Sequence, residues 1–167
     1  TITDPNGIST IITYDPYDRE ISRKISHLRT EERTYDPVGN LLQIKEGLKT
    51  THYTYNSIHL PQTLTRAFGT SEARITTYDY TPSGLLKTKI EPNGLAIHYT
   101  YDPYRYPKTI TSSDGTLSQC FTYNSNGSLL KASDDHHIIE RTLDPFDNIY
   151  TETIDQKWVL SKTYDCL

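Results

Sequence analysis

The sequence predicts an all-β protein built from repeated antiparallel hairpins. Two observations carry that prediction. A short phrase, most complete at Tyr35-Asp36-Pro37-Val38-Gly39-Asn40-Leu41, returns about every 21 residues along the chain. The composition also favours strands: there are 14 Tyr, many Thr and Ser, no Met and only 34% hydrophobic residues. Tyr and Thr suit a pleated, half-buried surface. A helical protein of this size would be richer in Ala, Leu, Glu and Lys at helical spacing.

The phrase is strand, tight turn, strand. Tyr35 ends a strand, Asp36 can bond its own backbone two residues on, and Pro37 presets φ for the turn. Gly39 supplies a conformation that a side chain penalises, and Leu41 with Leu42 resumes apolar burial. In chain order the versions are Tyr14-Asp15-Pro16, then the Tyr35 copy, Tyr55-Asn56-Ser57 and Tyr80-Thr81-Pro82-Ser83-Gly84-Leu85-Leu86. Tyr101-Asp102-Pro103, Tyr123-Asn124-Ser125-Asn126-Gly127-Ser128-Leu129, Leu143-Asp144-Pro145 and Tyr164-Asp165 follow. The steps between anchors are 21, 20, 25, 21, 22, 20 and 21. A period of this kind is the mark of a repeat architecture. The long step predicts a longer turn around Arg66 to Arg74. In the copies that lack the glycine, Arg19, Leu60, Tyr106 and Asn148 stand at or near its place.

Before each anchor the residues alternate. Thr13, Thr34, Thr54, Thr100, Thr122, Thr142 and Thr163 directly precede their anchors, with Asp79 as the exception. Ile12, Tyr53, Tyr78, Tyr99 and Phe121 stand two places before. Strand side chains alternate faces, so threonines share one face and aromatics the other. The aromatics are expected to pack, with ladders across adjacent repeats as one arrangement. A second turn in each repeat is predicted at Asp4-Pro5-Asn6-Gly7, Glu46-Gly47, Phe68-Gly69-Thr70, Glu91-Pro92-Asn93-Gly94, Asp114-Gly115 and Asp134-Asp135, because Asn-Gly and Asp-Gly are strong hairpin signals.

Two strands per repeat and eight repeats give about sixteen short strands in one meander. At about 4.8 Å per strand that ribbon would be about 75 Å long. Open sheets of that many strands curl, split or flatten, so a curled spiral with the Tyr/Leu face lining the inside, or a seam between layers, is expected. The 167 residues are read as a single array over 1–167, and an array has no fixed domain size. With no Met in the sequence, the chain is expected to be part of a longer one.

Tyr-Asp-x-x-Gly-x-Leu at this period resembles the YD repeat of the rearrangement hotspot (Rhs) family. The signature residues are Tyr14, Asp15, Tyr35, Asp36, Gly39, Leu41, Tyr55, Tyr80, Gly84, Leu86, Tyr101, Asp102, Tyr123, Gly127, Leu129, Leu143, Asp144, Tyr164 and Asp165. The resemblance implies a β-sheet spiral forming a hollow shell. In bacterial members the shell encloses a toxic C-terminal domain, in secreted polymorphic toxins or in the cocoon of Tc toxin complexes. In animal relatives, the teneurins, it serves adhesion at the cell surface. The implied partners are the rest of the shell and an enclosed toxin, with a secretion-system component or a surface receptor beyond them. A secreted or cell-surface location is implied. The family's self-cleavage motif, Asp-Pro-x-Gly-Leu, is approached by Glu91-Pro92-Asn93-Gly94-Leu95 and Asp4-Pro5-Asn6-Gly7-Ile8; both read as turns.

Other chemistry has little support. The net charge is −4, from 17 basic and 21 acidic residues, and no basic block points to nucleic acid. No run reaches the roughly 20 apolar residues of a membrane span. The histidines His27, His52, His59, His98, His136 and His137 lack metal-ligand spacing, and the once-per-repeat turn carboxylates are not a catalytic pair. No nucleophile elbow or phosphate loop occurs. No catalytic residue, cofactor or metal is therefore expected. Cys120 and Cys166 fall in different repeats, and their spacing leaves pairing open. Free sheet ends invite end-to-end self-association.

Overall fold

The computed structural model describes residues 1–26 and 28–162. Tyr164, Asp165, Cys166, Thr163 and His27 lie outside the described residues, and so does any pairing of Cys120 with Cys166. Every regular element among the described residues is a β-strand, and none is a helix that could cross a membrane.

The chain divides into two compact units, Thr1–Tyr78 and Asp79–Leu167. The first holds β1 (Ile2–Thr3), β2 (Ser9–Tyr14), β3 (Glu20–Ile25), β4 (Arg29–Tyr35), β5 (Leu41–Glu46), β6 (Lys49–Tyr55), β7 (Pro61–Arg66) and most of β8 (Arg74–Tyr80). The second holds β9 (Leu86–Ile90), β10 (Ala96–Tyr101), β11 (Pro107–Ser112), β12 (Ser118–Tyr123), β13 (Leu129–Ser133), β14 (Ile138–Leu143), β15 (Ile149–Ile154) and β16 (Trp158–Ser161). Within each unit a strand pairs antiparallel with its neighbours in sequence, from Ile2↔Thr10 to Thr63↔Thr77 in the first. In the second the pairing runs from Ala96↔Ile90 to Ile154↔Trp158. The described anchors end strands, and Leu41, Leu86 and Leu129 open them, as the repeat predicts.

Six of the described anchors carry a β-bulge. The register shifts between Thr13 and Tyr14, Thr34 and Tyr35, Thr54 and Tyr55, Thr100 and Tyr101, Thr122 and Tyr123, and Thr142 and Leu143. A bulge adds local twist and re-aims a side chain. The long turn also falls where it is predicted. β7 ends at Arg66 and β8 begins at Arg74, and Ala67, at φ 53°, starts a loop closed by Thr70 N–H donating to Ala67 O at 3.2 Å.

The two faces differ as the alternation requires. Thr13, Thr34, Thr100, Thr122 and Thr142 are exposed, whereas Ile12, Tyr53, Tyr78, Tyr99 and Phe121 are half-buried. Opposed threonines bond across the strands, Thr54 to Thr63 at 2.7 Å, Thr100 to Thr109 at 2.6 Å and Thr142 to Thr151 at 2.6 Å.

Within each unit, no packed layer covers the aromatic face among the described residues. No apolar side chain among the described residues is fully buried; the enclosed residues are Thr65, Thr76 and Ser112. Within each unit the apolar side chains are therefore only half-covered by their neighbours in the sheet. Tyr99 and Phe121 make no ring contact with each other, because equivalents are two strands apart, about 9.6 Å, beyond ring-contact range. The ring contacts observed include His52 on Phe68 at 4.6 Å and Tyr106 on Tyr123 at 5.1 Å.

Candidate functional site

The signature residues gather at one kind of place, the turn that follows each anchor. In every described copy the residue after the anchor opens a tight five-residue turn. Asp36 N–H donates to Asn40 O at 2.9 Å, and Gly39 N–H donates back to Asp36 O at 3.1 Å. The same pair of bonds closes the turns at Asp15, Asn56, Thr81, Asp102, Asn124 and Asp144. The side chain then caps the turn from inside. Asp36 Oδ1 accepts from Val38 N at 3.0 Å and Asn40 N at 2.8 Å. Asp15, Asp102 and Asp144 repeat that fork. Asn56 and Asn124 do it with an amide oxygen, and Thr81 makes one of the two bonds through its hydroxyl. The signature Asp is thus an acceptor for backbone amides, and Asn replaces it without loss of the fork.

The third residue after that capping position has positive φ in every described copy. It is Gly39 at 102°, Gly84 at 80° and Gly127 at 87°, but Asp18 at 60°, His59 at 61°, Arg105 at 73° and Asp147 at 64° in the others. The glycine position is therefore held by Asp18, His59, Arg105 and Asp147, one residue before Arg19, Leu60, Tyr106 and Asn148.

Three of the side chains at this strained position, His59, Arg105 and Asp147, reach back to the preceding turn. His59 Nδ1 bonds Asn40 Nδ2 at 3.0 Å, and Arg105 Nη2 donates to Ser83 O at 2.9 Å. Asp147 accepts from Asn124 Nδ2 at 2.7 Å and from Asn126 Nδ2 at 2.5 Å. At Gly39 and Gly127 the preceding turn reaches forward instead. Arg19 Nη1 donates to Asp36 O at 3.1 Å, over Gly39. Its guanidinium lies 4.8 Å from the centre of the Tyr35 ring and 5.1 Å from that of Tyr17. Tyr106 packs against Tyr123 with its ring tilted by 34°, in the space that a Cβ on Gly127 would take, with Cε1 3.0 Å from that point. One side chain fills each of these junctions, from one side or the other.

The anchor tyrosines act through their hydroxyls. Tyr35 donates to Glu20 O, Tyr55 to Leu41 O and Tyr101 to Leu86 O, each at 2.8 Å. In each case the acceptor is the residue that opens the second strand of the preceding repeat. Leu41 and Leu86 therefore contribute a carbonyl as well as apolar area. Among the described residues Tyr123 makes no such bond and packs against Tyr106, Tyr14 is exposed, and Leu143 has no hydroxyl. Burial is the main cause that holds the Tyr55 and Tyr101 hydroxyls above the ordinary tyrosine pKa, helped by Tyr53 and Asp36 beside Tyr55 and by Tyr99 beside Tyr101.

Charged groups take the place of aromatics in three repeats, at Arg33, Arg141 and Lys162. Arg33 and Arg141 stand two places before their anchors. Arg33 bridges Glu20 at 2.7 Å and also pairs with Glu31, while Arg23 holds Glu20 at 2.8 Å. The Arg23 hydrogen bond, against a smaller opposing effect of burial, keeps Glu20 below the usual carboxylate range. Arg141 pairs with Glu152 at 2.7 Å. The sequence reading passed over these pairs; the break in the aromatic column at 33 and 141 was the available signal. It also passed over the turn tips Tyr17, Val38, Ile58, Tyr104 and Phe146, which are exposed.

No cluster of three or more His, Cys, Asp or Glu fit to hold a metal occurs among the described residues. The two near-matches to the cleavage motif are hairpin turns: Asp4 Oδ1 caps Asn6 and Ile8, and Glu91 N–H bonds Leu95 O at 2.9 Å.

Solved structures share this architecture. The TcdB2-TccC3-Cdc42 structure matches with a TM-score of 0.72 and 12% identity, over 84% of this chain and 9% of that one. This is the fold of a YD-repeat shell segment. The Tc holotoxin pore of Photorhabdus luminescens matches with a TM-score of 0.69 and 16% identity, over 87% of this chain and 9% of that one. TcdB2-TccC3 without its hypervariable C-terminal region matches with a TM-score of 0.63 and 13% identity, over 93% and 11%. The segment thus spans about a tenth of the length of the chains whose fold it shares. No family model matches the sequence, and no curated protein sequence does.

Proposed function

We propose that this chain is a wall segment of an Rhs/YD-repeat shell that encloses a C-terminal toxin or effector domain for secretion. Its role is structural and non-catalytic, its partners are the remainder of its own shell and the enclosed domain, and its location is secreted or at the cell surface. The observation that carries the reading is the fold shared with Tc toxin structures over 84–93% of the chain. The junctions support it. Tyrosine hydroxyls and side chains that reach from turn to turn join neighbouring repeats, while the caps close the turn inside each repeat, so stability is a sum of repeat and nearest-neighbour terms. Such a wall can be extended without a core of its own.

Limited proteolysis of the longest natural chain that contains this segment tests the reading. The expected result is a resistant shell and a C-terminal domain that is cut only after the shell is denatured. A C-terminal region cut in the native protein as fast as a free linker would overturn it. A second reading, surface adhesion or carbohydrate binding, draws on the exposed aromatic tips Tyr17, Tyr104 and Phe146. Glycan titration by calorimetry separates the two: heat that disappears in Tyr104→Ala supports it, and absence of heat rejects it.

A further inference from the structure

We propose that His137 and Asp155 form a pH-responsive clasp that holds the β15–β16 hairpin to the start of β14. The inference concerns one hairpin and does not depend on the shell reading.

The second turns of three repeats share one latch. Ser26 N–H donates to Ser9 O at 2.8 Å, and Ser9 N–H donates back to Ser26 Oγ at 2.9 Å. Ser113 and Ala96 repeat the pair, at 2.8 and 3.1 Å. At the third, Asp155 N–H donates to Ile138 O at 2.8 Å, and Ile138 N–H donates to Asp155 Oδ1 at 2.8 Å. A side-chain oxygen stands in for a strand carbonyl in all three. Only the third uses a carboxylate, and its second oxygen, Oδ2, lies 2.9 Å from Nδ1 of His137. The residues that stand where His137 does in the serine latches are Ile8 and Leu95, which do not ionise. The chain therefore contains its own neutral controls.

The clasped turn needs holding. Asp155 and Gln156 both have positive φ, 52° and 56°, and neither is glycine. Beyond them β16 presents Trp158, Val159 and Leu160 as exposed side chains.

The groups around His137 favour its charged form. The Asp155 hydrogen bond, then the Asp155 charge, raise the His137 pKa against a smaller effect of burial, and Asp134 adds to the rise. Asp155 is lowered, first by the His137 hydrogen bond. From its own turn His137 meets Asp134, whose Oδ1 accepts its N–H at 2.7 Å, and His136, with ring centres 6.4 Å apart; Asp135 is the remaining charge there. From the β15–β16 turn it meets Asp155, with Lys157 acting on that carboxylate. From β12, Gln119 and Phe121 line the same recess and carry no charge. The clasp is complete while Asp155 is ionised and His137 protonated. It weakens as pH rises through the His137 pKa.

Hydrogen exchange of the whole chain tests this, from about two pH units below to two above the ordinary histidine pKa of about 6.5. After correction for the intrinsic rate, peptides covering 150–161 should show opening that rises roughly two- to five-fold across that range, the scale of an exposed ion pair. Peptides carrying the Ser26 and Ser113 latches should show no step. Trp158, the one tryptophan of the chain, should report the same midpoint in its emission. His137→Leu and Asp155→Ser install residues that the fold already accepts at the other latches, and both should flatten the profile. A step that survives either substitution, or no step in the natural chain, overturns the clasp.

Discussion

The hydroxyl of Tyr55 donates to the carbonyl of Leu41, 2.8 Å away and fourteen residues earlier in the chain. The bond joins two repeats, and Tyr35 and Tyr101 make the same one. It explains tyrosine rather than phenylalanine at the anchor, since the ring alone supplies only area. Tyr35→Phe, Tyr55→Phe and Tyr101→Phe should each destabilise by about 1 kcal/mol, the net value of one such bond. Tyr123→Phe is the control, because its ring packs against Tyr106 and its hydroxyl makes no bond of this kind among the described residues. Denaturant midpoints at constant m-value measure the difference. Equal losses at Tyr55 and Tyr123 would count against the hydroxyl.

The same tyrosines set the alkaline limit. Burial raises the folded pKa of Tyr55 and Tyr101 above the unfolded value, which is about 10. The neutral form is therefore the stabilising one. Its contribution is complete below that unfolded value and is lost as pH rises through the folded pKa, where the donor proton leaves. Melting temperature against pH, with tyrosinate absorbance followed in parallel, should fall less steeply in the alkaline limb for Tyr55→Phe with Tyr101→Phe than for the natural chain.

At the acid end the turn carboxylates take over. The Asn148 side chain, and then the amides of Asn148 and Phe146, outweigh burial and hold Asp144 below its ordinary value. The ionised form is the stabilising one, so the contribution is present above the unfolded pKa of about 3.9 and is lost as pH falls through the folded pKa. Asp144→Asn keeps an oxygen for Phe146 N and Asn148 N, as Asn124 does in its own turn, but cannot ionise. It should melt below the natural chain at neutral pH, and the gap should close as pH falls. A gap independent of pH would show that the charge of Asp144 contributes nothing.

The hairpins, the anchors and the two faces were legible because they depend on local chemistry. Asp and Asn cap their own turns, Pro16 and Pro37 preset φ, and alternation places Thr100 and Tyr99 on opposite faces. What stayed hidden depends on a neighbour one repeat away. Nothing local favours positive φ at Arg105, and His59 and Asp147 only tolerate it better than most side chains do. Each is held there by a bond to the preceding turn, so the sequence places the glycine position in those copies only at or near Leu60, Tyr106 and Asn148. The carbonyls of Glu20, Leu41 and Leu86 accept the tyrosine hydroxyls as backbone, which leaves no trace in side-chain identity. Equivalent aromatics such as Tyr99 and Phe121 are likewise kept apart by an intervening strand.

Gly127 and Gly39 separate the two reasons for glycine. Both have positive φ, so a side chain costs about 1–2 kcal/mol at either. Gly127 also faces the Tyr106 ring, whose hydroxyl end occupies the place of a Cβ, whereas the nearest atom to a Cβ on Gly39 is Arg19 Nη1 at 3.9 Å. Gly127→Ala must therefore displace an aromatic side chain from its place against Tyr123 as well as bear the backbone strain. It should destabilise by clearly more than Gly39→Ala. Tyr106→Ala, already without the ring, should make the further change Gly127→Ala cost no more than Gly39→Ala does. A double-mutant cycle on chemical unfolding measures that coupling. Additive losses would mean that the ring yields freely, and that glycine at 127 serves the turn alone.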